Sequence, residues 1–154
     1  MGIKLKIGRG QTVFNPMYPQ KYKGKYPIIS RSSWELQFMR WADANPNIIQ
    51  WSSESIKIPY FDPVRQHRRR YYPDFWLKVE NKEGNTDKWV VEIKPYKETV
   101  LPRPGKKSSK TRIYESKTYK TNQAKWRAAV DFCNKMGYKF KVLTERELFR
   151  GKKK

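Results

Sequence analysis

The stretch from residue 70 to residue 95 constrains the fold most, because each of its two β-type runs carries an acid where a buried strand is normally apolar. The runs read RYYPDFWLKV and KWVVEIKP, and the segment between them includes NKEGNTD. Turn-forming residues between two such runs predict a hairpin. Side chains alternate between faces along a strand, so Glu92 and Lys94 share a face and can lie opposite Asp74.

These three side chains suggest a specific chemistry. Carboxylate oxygens such as those of Asp74 and Glu92 bind hard cations, magnesium among them. A cation there would polarise a phosphate and activate water, while Lys94 would stabilise charge on the water or the phosphate. The pattern therefore predicts a metal-dependent phosphodiesterase. The plainer alternative is that Glu-x-Lys is a solvated surface pair and that Pro-Asp opens a turn.

The charge of the chain predicts a polyanionic partner. Among 154 residues, 35 are Lys or Arg and 14 are Asp or Glu, which gives a formal net charge of +21. Nucleic acid is the partner that this balance favours. An acidic membrane surface is the competing interpretation, and it is weakened because no apolar run approaches the ~20 residues of a transmembrane helix.

The cysteine and histidine content excludes an internal disulfide and a Cys/His zinc cluster. With a single cysteine, Cys133, the chain cannot form an internal disulfide, and this usage is typical of a reducing compartment. With a single histidine, His67, it cannot assemble a Cys/His zinc cluster. The many aromatic residues provide bulk for the core of one domain.

The first 29 residues are basic, rich in Tyr, Pro and Gly, and without helical periodicity. They predict an extended arm. One alternative is a disordered tail. The other is a segment that binds along DNA or a protein partner, with Tyr18, Tyr22 and Tyr26 as contact residues.

Residues 32–45 predict the first helix, which ends before Pro46. Its apolar stripe comprises Trp34, Phe38 and Trp41. Ser32-x-x-Glu35 matches a capping box. Glu35 therefore has two interpretations that the sequence leaves open, a helix cap and an acid directed toward Asp74.

The next segments predict a strand, a turn and a strand over residues 47–60, then a loop over 61–70. Glu54 lies in the polar break and is expected at the surface. The loop places four arginines just before Asp74. They would bind phosphate there, unless they are merely a solvated charge run. These are Arg65, Arg68, Arg69 and Arg70, with His67 as a phosphate or water contact.

After the hairpin, residues 96–117 predict a long basic loop that contacts DNA as a flap. Its cations include Lys106, Lys107 and Lys110. Residues 119–136 predict the second long helix, with Gly137 as its stop. Its buried stripe would comprise Trp126, Ala129, Val130 and Cys133, with Lys120, Gln123 and Lys125 on another side. A strand over 138–143, a helix capped by Thr144 and Glu147, and a basic tail follow.

The resulting order of elements resembles a known superfamily. An αβββαβ order with Glu35 on the first helix, Pro73-Asp74 on the second core strand and Glu92-Ile93-Lys94 on the third is similar to the PD-(D/E)xK nucleases. Over residues 30–148 the motifs most resemble TnsA-type endonucleases. The size, the basic termini and the Thr144-Glu145 ending resemble the head completion nucleases of T-even-like tailed phages.

The resemblance implies a restriction-endonuclease-like α/β core, a mixed sheet flanked by helices. The domain would span residues 30–150, between an arm over 1–29 and a tail over 151–154. It also implies a site residue by residue. Asp74, Glu92 and the Ile93 carbonyl would bind Mg²⁺ or Mn²⁺, with Glu35 as a direct or water-mediated ligand. Lys94 would activate the attacking water, and Gln123 and Lys125 would contact the scissile strand.

The implied partners are double-stranded DNA and phage portal or head-tail connector proteins, in the virion and the host cytoplasm. Two alternatives stay open. One is a non-enzymatic basic protein that binds DNA or builds the virion. The other is a transposon or repair endonuclease, which differs in biology and shares the chemistry.

Overall fold

The computed structural model describes residues 8–149, and they form one mixed α/β fold. Two short 3-10 turns occur at Pro19–Lys21 and Tyr96–Glu98. The strands and helices in chain order are β1 (Thr12–Phe14), β2 (Ile28–Ser30), α1 (Ser33–Ala44), β3 (Ile48–Ser53), β4 (Ile58–Asp62), β5 (His67–Tyr71), β6 (Phe75–Glu80), β7 (Thr86–Ile93), α2 (Ser109–Met136), β8 (Lys139–Leu143) and α3 (Glu145–Leu148).

A four-stranded mixed sheet forms the centre, in the order β3-β6-β7-β8. The first three strands are antiparallel neighbours, and β8 lies parallel to β7 after the crossover through α2. The predicted hairpin is β6 and β7, with Phe75 opposite Val91. The predicted αβββαβ core is therefore confirmed, with the β4–β5 hairpin inserted between its first and second strands.

Both faces of this sheet are covered, so its central strands are buried on both sides. On one face α1 and the N-terminal hairpin bury a cluster that includes Phe38, Trp51 and Phe75. On the other face α2 and the β4–β5 hairpin bury Tyr60, Tyr71, Trp126 and their neighbours. Double coverage explains why consecutive residues of β7, rather than alternate ones, are buried.

The N-terminal segment packs on the core, unlike the arm that was predicted. β1 pairs with β2, and Phe14 and Tyr22 are buried against Trp51. The Lys21 ammonium donates to three carbonyls at the end of α1, where a cation opposes the helix dipole. Tyr22, which is 6% exposed, is a core residue, so its prediction as a contact residue was wrong. The predictions for residues 1–7 and for the basic tail lie outside the described residues.

Residues 61–70 are not the predicted loop, because β5 pairs with β4 across a tight turn. Buried Asp62 holds that turn by accepting the backbone N–H groups of Val64 and Arg65 at 2.9 and 3.2 Å. Burial raises the pKa of Asp62, but these hydrogen bonds and the Arg65 guanidinium outweigh it and hold the pKa below its usual range. The result is a two-stranded ribbon that leads directly into Asp74.

The helix α2 begins at Ser109, ten residues before the predicted start, so the predicted basic loop is shorter than expected. Ser108 caps it, and Gly137 ends it with a φ of 73°, a left-handed conformation that glycine adopts without strain. Cys133 is buried as predicted, but Val130 on α2 and Trp41 on α1 are exposed. Within residues 8–149 there is no helix long and apolar enough to cross a membrane.

Candidate active site

Asp74 and Glu92 face each other across the start of β6 and the end of β7. The Asp74 carboxylate accepts the backbone N–H of Ile93 at 2.7 Å. In return the Glu92 carboxylate accepts the backbone N–H of Asp74 at 3.2 Å. Each acid is therefore held by the backbone of the opposite strand, so the register of the hairpin brings the two carboxylates together.

The environment of these two acids disfavours their ionised forms. Burial and, to a smaller extent, the neighbouring carboxylate of Glu92 together raise the pKa of Asp74 to about 8. Burial likewise raises the pKa of Glu92, which is 4% exposed, while the charge of Lys94 acts in the opposite direction. The ammonium of Lys94 lies 4.0 Å from Glu92, yet the pKa values of both acids stay raised, so the pair is electrostatically suited to a cation.

Two lysines lie beside the acids. Lys94 comes from the end of β7, and Lys125 comes from α2, where its ammonium lies 5.6 Å from the centre of the Tyr71 ring. Burial lowers the pKa of Lys125, and the charge of Lys94 lowers it further, which indicates that the two ammonium groups are close. The structure therefore brings together Lys94, Lys125 and the acid pair.

Glu35 lies near the acid pair and is not a full helix cap. Its backbone N–H donates to Ser32 Oγ at 3.1 Å, but its carboxylate accepts the N–H of Arg31 at 3.3 Å rather than that of Ser32. Burial and, to a smaller extent, the charge of Asp74 together raise the pKa of Glu35 to about 7. The electrostatic coupling between Glu35 and Asp74 favours a role at the site.

Glu54 is a fourth acid in this region, although it was expected at the surface. Its backbone N–H donates to the carbonyl of Asp74 at 3.0 Å, and its carboxylate lies 2.6 Å from Arg31. The half-buried Glu54 carboxylate also raises the pKa of Glu35. The pairing of Ser53 with Phe75 brings Glu54 next to Asp74. Nothing in the sequence around Glu54 indicates that register.

Asn122 is a buried polar residue of α2 that was not among the predicted site residues. It is 4% exposed, and its Nδ2 has no hydrogen-bond partner in residues 8–149. The spacing of Asn122, Trp126 and Ala129 is that of one helix face, so periodicity could have indicated it. Gln123 is only half-buried, and its predicted contact with the scissile strand stays a prediction.

Asp74 and Glu92 provide only part of the ligand set of a hard divalent cation. In the described part of the chain, no three Asp, Glu, His or Cys side chains are grouped as a metal site. Asp74 and Glu92 supply carboxylate oxygens of the kind that Mg²⁺ prefers. Mg²⁺ commonly binds through one or two carboxylates and keeps several waters, so the pair is compatible with it. Glu35 then suits a contact through water better than direct ligation.

The predicted phosphate-binding arginines divide into two pairs. Arg65 and Arg69 lie 3.0 and 3.7 Å from the buried carboxylate of Asp62, so they stabilise the ribbon. Arg68 and Arg70 occupy the opposite face, with exposed Phe61, and have no ion pair within residues 8–149. Of the predicted loop cations, Lys106 and Lys110 are exposed, whereas Lys107 forms an ion pair with Glu115 at 2.8 Å.

Comparisons with known proteins identify the family of the chain. The profile of the TnsA-like endonuclease N-terminal domain matches residues 45–145. A protein named head completion nuclease, from Enterobacteria phage T4, is 40% identical over 138 residues, which are 84% of this chain and 87% of that relative. No solved structure matched significantly.

Proposed function

The chain belongs to the TnsA-like endonuclease family, and from this premise we propose that it is a Mg²⁺-dependent endonuclease that hydrolyses phosphodiester bonds of double-stranded DNA. The observation that carries the proposal is the buried pair of Asp74 and Glu92, each held by the backbone of the other's strand. Such a pair costs stability in the absence of a cation, so a structural role does not explain it.

Asp74 and Glu92 would hold the cation, with the Ile93 carbonyl and water completing its ligands. When bound, a divalent cation polarises a phosphate and makes water more acidic. Lys94 would orient the attacking water, since its ammonium already lies 4.0 Å from Glu92. Lys125 would stabilise the negative charge that develops on the phosphate.

The biological role follows from the relative. Since a protein 40% identical over most of its length is named a head completion nuclease of a phage, we propose that this chain acts on DNA during phage head completion and resides in the virion. Contact with portal or connector proteins belongs to the same proposal. A non-enzymatic DNA-binding protein would share the charge of +21, but it would have no use for buried acids.

Incubation with supercoiled plasmid tests the proposed activity. Mg²⁺ should support nicking and linearisation, a chelator should stop both, and Mn²⁺ should restore them. Cleavage that continues in the presence of the chelator would contradict metal dependence. Binding without cleavage under all metal conditions would instead favour the non-enzymatic alternative.

Exchange of Glu35 for Gln separates its two interpretations. We expect Glu35→Gln to lower the cleavage rate by about 10- to 100-fold, as losses of outer-shell partners of a metal commonly do. At pH ~5, below the raised pKa of Glu35, its thermal stability should stay close to the wild type, because the amide oxygen can still accept the Arg31 N–H. Glu35→Ala should lose comparable activity but also stability, since it removes that acceptor. Full activity of Glu35→Gln would remove this residue from the site.

The salt dependence of DNA binding tests whether Arg68 and Arg70 contact phosphate while Arg65 stabilises the ribbon. The double variant Arg68→Ala/Arg70→Ala should reduce the slope of log affinity against log salt by about 2, because each phosphate contact contributes about 0.9. Arg65→Ala is the matched control. It should leave the slope unchanged but lower Tm by ~2–4 °C, because Asp62 loses a partner. Equal effects of both variants on the slope would contradict this assignment.

A further inference from the structure

A cavity of about 640 Å³ lies between residues 96–107 and the N-terminal half of α2. Its walls combine flat aromatic rings with cations that outnumber the acids Glu98 and Glu115, namely Tyr96, Tyr114 and Tyr119 with Lys97, Arg103, Lys107 and Arg146. The Tyr96 backbone N–H donates to Glu145 at 2.6 Å, and the Arg146 guanidinium stacks 3.3 Å from the centre of the Tyr96 ring. These contacts and the Lys107–Glu115 ion pair hold the walls in place.

Two separate elements connect this cavity to the acid pair. Tyr96 follows Lys94 by two residues, which places it at most ~7 Å further along the chain. On α2, Thr118 lines the cavity, and Lys125 lies two turns further along, a rise of about 10 Å. At 3.4 Å per nucleotide in a stacked strand, this distance corresponds to about three nucleotides. A strand cleaved at the acids could therefore reach the cavity.

The chemistry of the cavity is that of a binding site for unpaired bases. Its rim exposes Tyr114 and Leu101, each 70% exposed, beside the cations of Arg103 and Arg146. Bases stack on aromatic rings, and phosphates bind cations, but in a duplex the faces of the bases are already covered by their neighbours. A blunt duplex would therefore leave the rings of this cavity unused.

We propose that this cavity binds the unpaired nucleotides of a single-stranded extension next to the scissile bond, so that the preferred substrate is a duplex with such an extension. The proposal rests on the proposed nuclease function for its position next to the cleaved bond. Binding can nevertheless be measured without cleavage, so that failure of one proposal does not imply failure of the other.

Fluorescence anisotropy in EDTA tests the cavity with three probes, a blunt 20-base-pair duplex and the same duplex with a 5′ or a 3′ extension of five nucleotides. The wild type should bind one extended duplex at least ~5-fold more tightly than the blunt one. Tyr114→Ala should weaken binding of that extended duplex by ~5- to 150-fold, the range expected for one lost stacking contact. Tyr114→Phe, which keeps the ring, should retain the preference.

Ile113→Ala is the matched control, because Ile113 is the exposed neighbour of Tyr114 and does not line the cavity. It should leave the preference unchanged. The proposal is overturned if the three duplexes bind equally, or if Tyr114→Ala weakens binding of the blunt and extended duplexes by the same factor. In those cases the exposed rings would be surface for a protein partner. Plasmid cleavage in Mg²⁺ does not enter this comparison and tests the proposed function separately.

Discussion

Asp74→Asn should abolish DNA cleavage and at the same time stabilise the metal-free protein at pH 8. Loss of a carboxylate from the cation site should lower the rate by at least ~10³-fold, since a catalytic metal contributes several kcal/mol. The stability gain follows from the pKa of Asp74, which burial and Glu92 raise to about 8. The amide oxygen of Asn can still accept the Ile93 N–H, so the exchange removes the charge and keeps the contact.

The sign of the effect on stability depends on pH. A carboxyl whose pKa is higher in the folded than in the unfolded state stabilises folding at low pH and loses that contribution as pH rises from ~4 to ~8. Asp74→Asn should therefore match the wild type at pH 4 and exceed its Tm by ~2–4 °C at pH 8 without metal. Asp62→Asn is the control of opposite sign, because the pKa of Asp62 is lowered and its charge stabilises the fold. A lower Tm of Asp74→Asn at pH 8 would contradict the account of the buried pair.

Lys94→Ala should lower cleavage by at least ~10²-fold while it leaves cation binding within a few-fold of the wild type. Lys94 lies 4.0 Å from Glu92 on the same strand face, where it can orient water and stabilise charge without binding the cation. Cleavage rates at saturating Mg²⁺, compared with Mg²⁺ concentrations at half-maximal rate, separate the two effects.

Lys88→Ala is the matched control for Lys94→Ala. Lys88 is exposed on the same face of β7, six residues and therefore about 20 Å from Lys94, and it carries the same charge. It should cleave at the wild-type rate. Equal losses in Lys88→Ala and Lys94→Ala would show that the effect is general electrostatic attraction of DNA, and wild-type cleavage by Lys94→Ala would remove it from the mechanism.

The sequence indicated the central hairpin and its acids because two strong signals coincide there. Runs of β-branched and aromatic residues in β6 and β7 and the turn residues between them specify the strands, and their register brings Asp74 to Glu92. By contrast, Glu54 reaches the site only through the pairing of β3 with β6, a long-range register that no local pattern encodes. Acids brought together by one hairpin were therefore predictable, and one brought by a distant strand was not.

The elements that prediction missed have weak apolar patterns. β5 reads HRRRY and buries only its last residue, so its charges concealed a strand that depends on pairing with β4. The first ten residues of α2 are mostly exposed and carry no apolar stripe. In the N-terminal segment, Phe14, Tyr22 and Ile28 are widely spaced, and their burial depends on a core formed by later residues. Tertiary contacts, rather than local propensity, decide these regions.

Calorimetric titration of Mg²⁺ into the wild type and Asp74→Asn at pH 7, in two buffers of different ionisation enthalpy, tests most directly whether the acid pair is the cation site. The wild type should bind Mg²⁺ with release of protons, because a cation displaces protons from carboxyls whose pKa is raised, to about 8 for Asp74. Asp74→Asn should bind Mg²⁺ at least ~10-fold more weakly and release fewer protons. Undiminished binding of Mg²⁺ by Asp74→Asn, with the same proton release, would show that the acid pair is not the cation site.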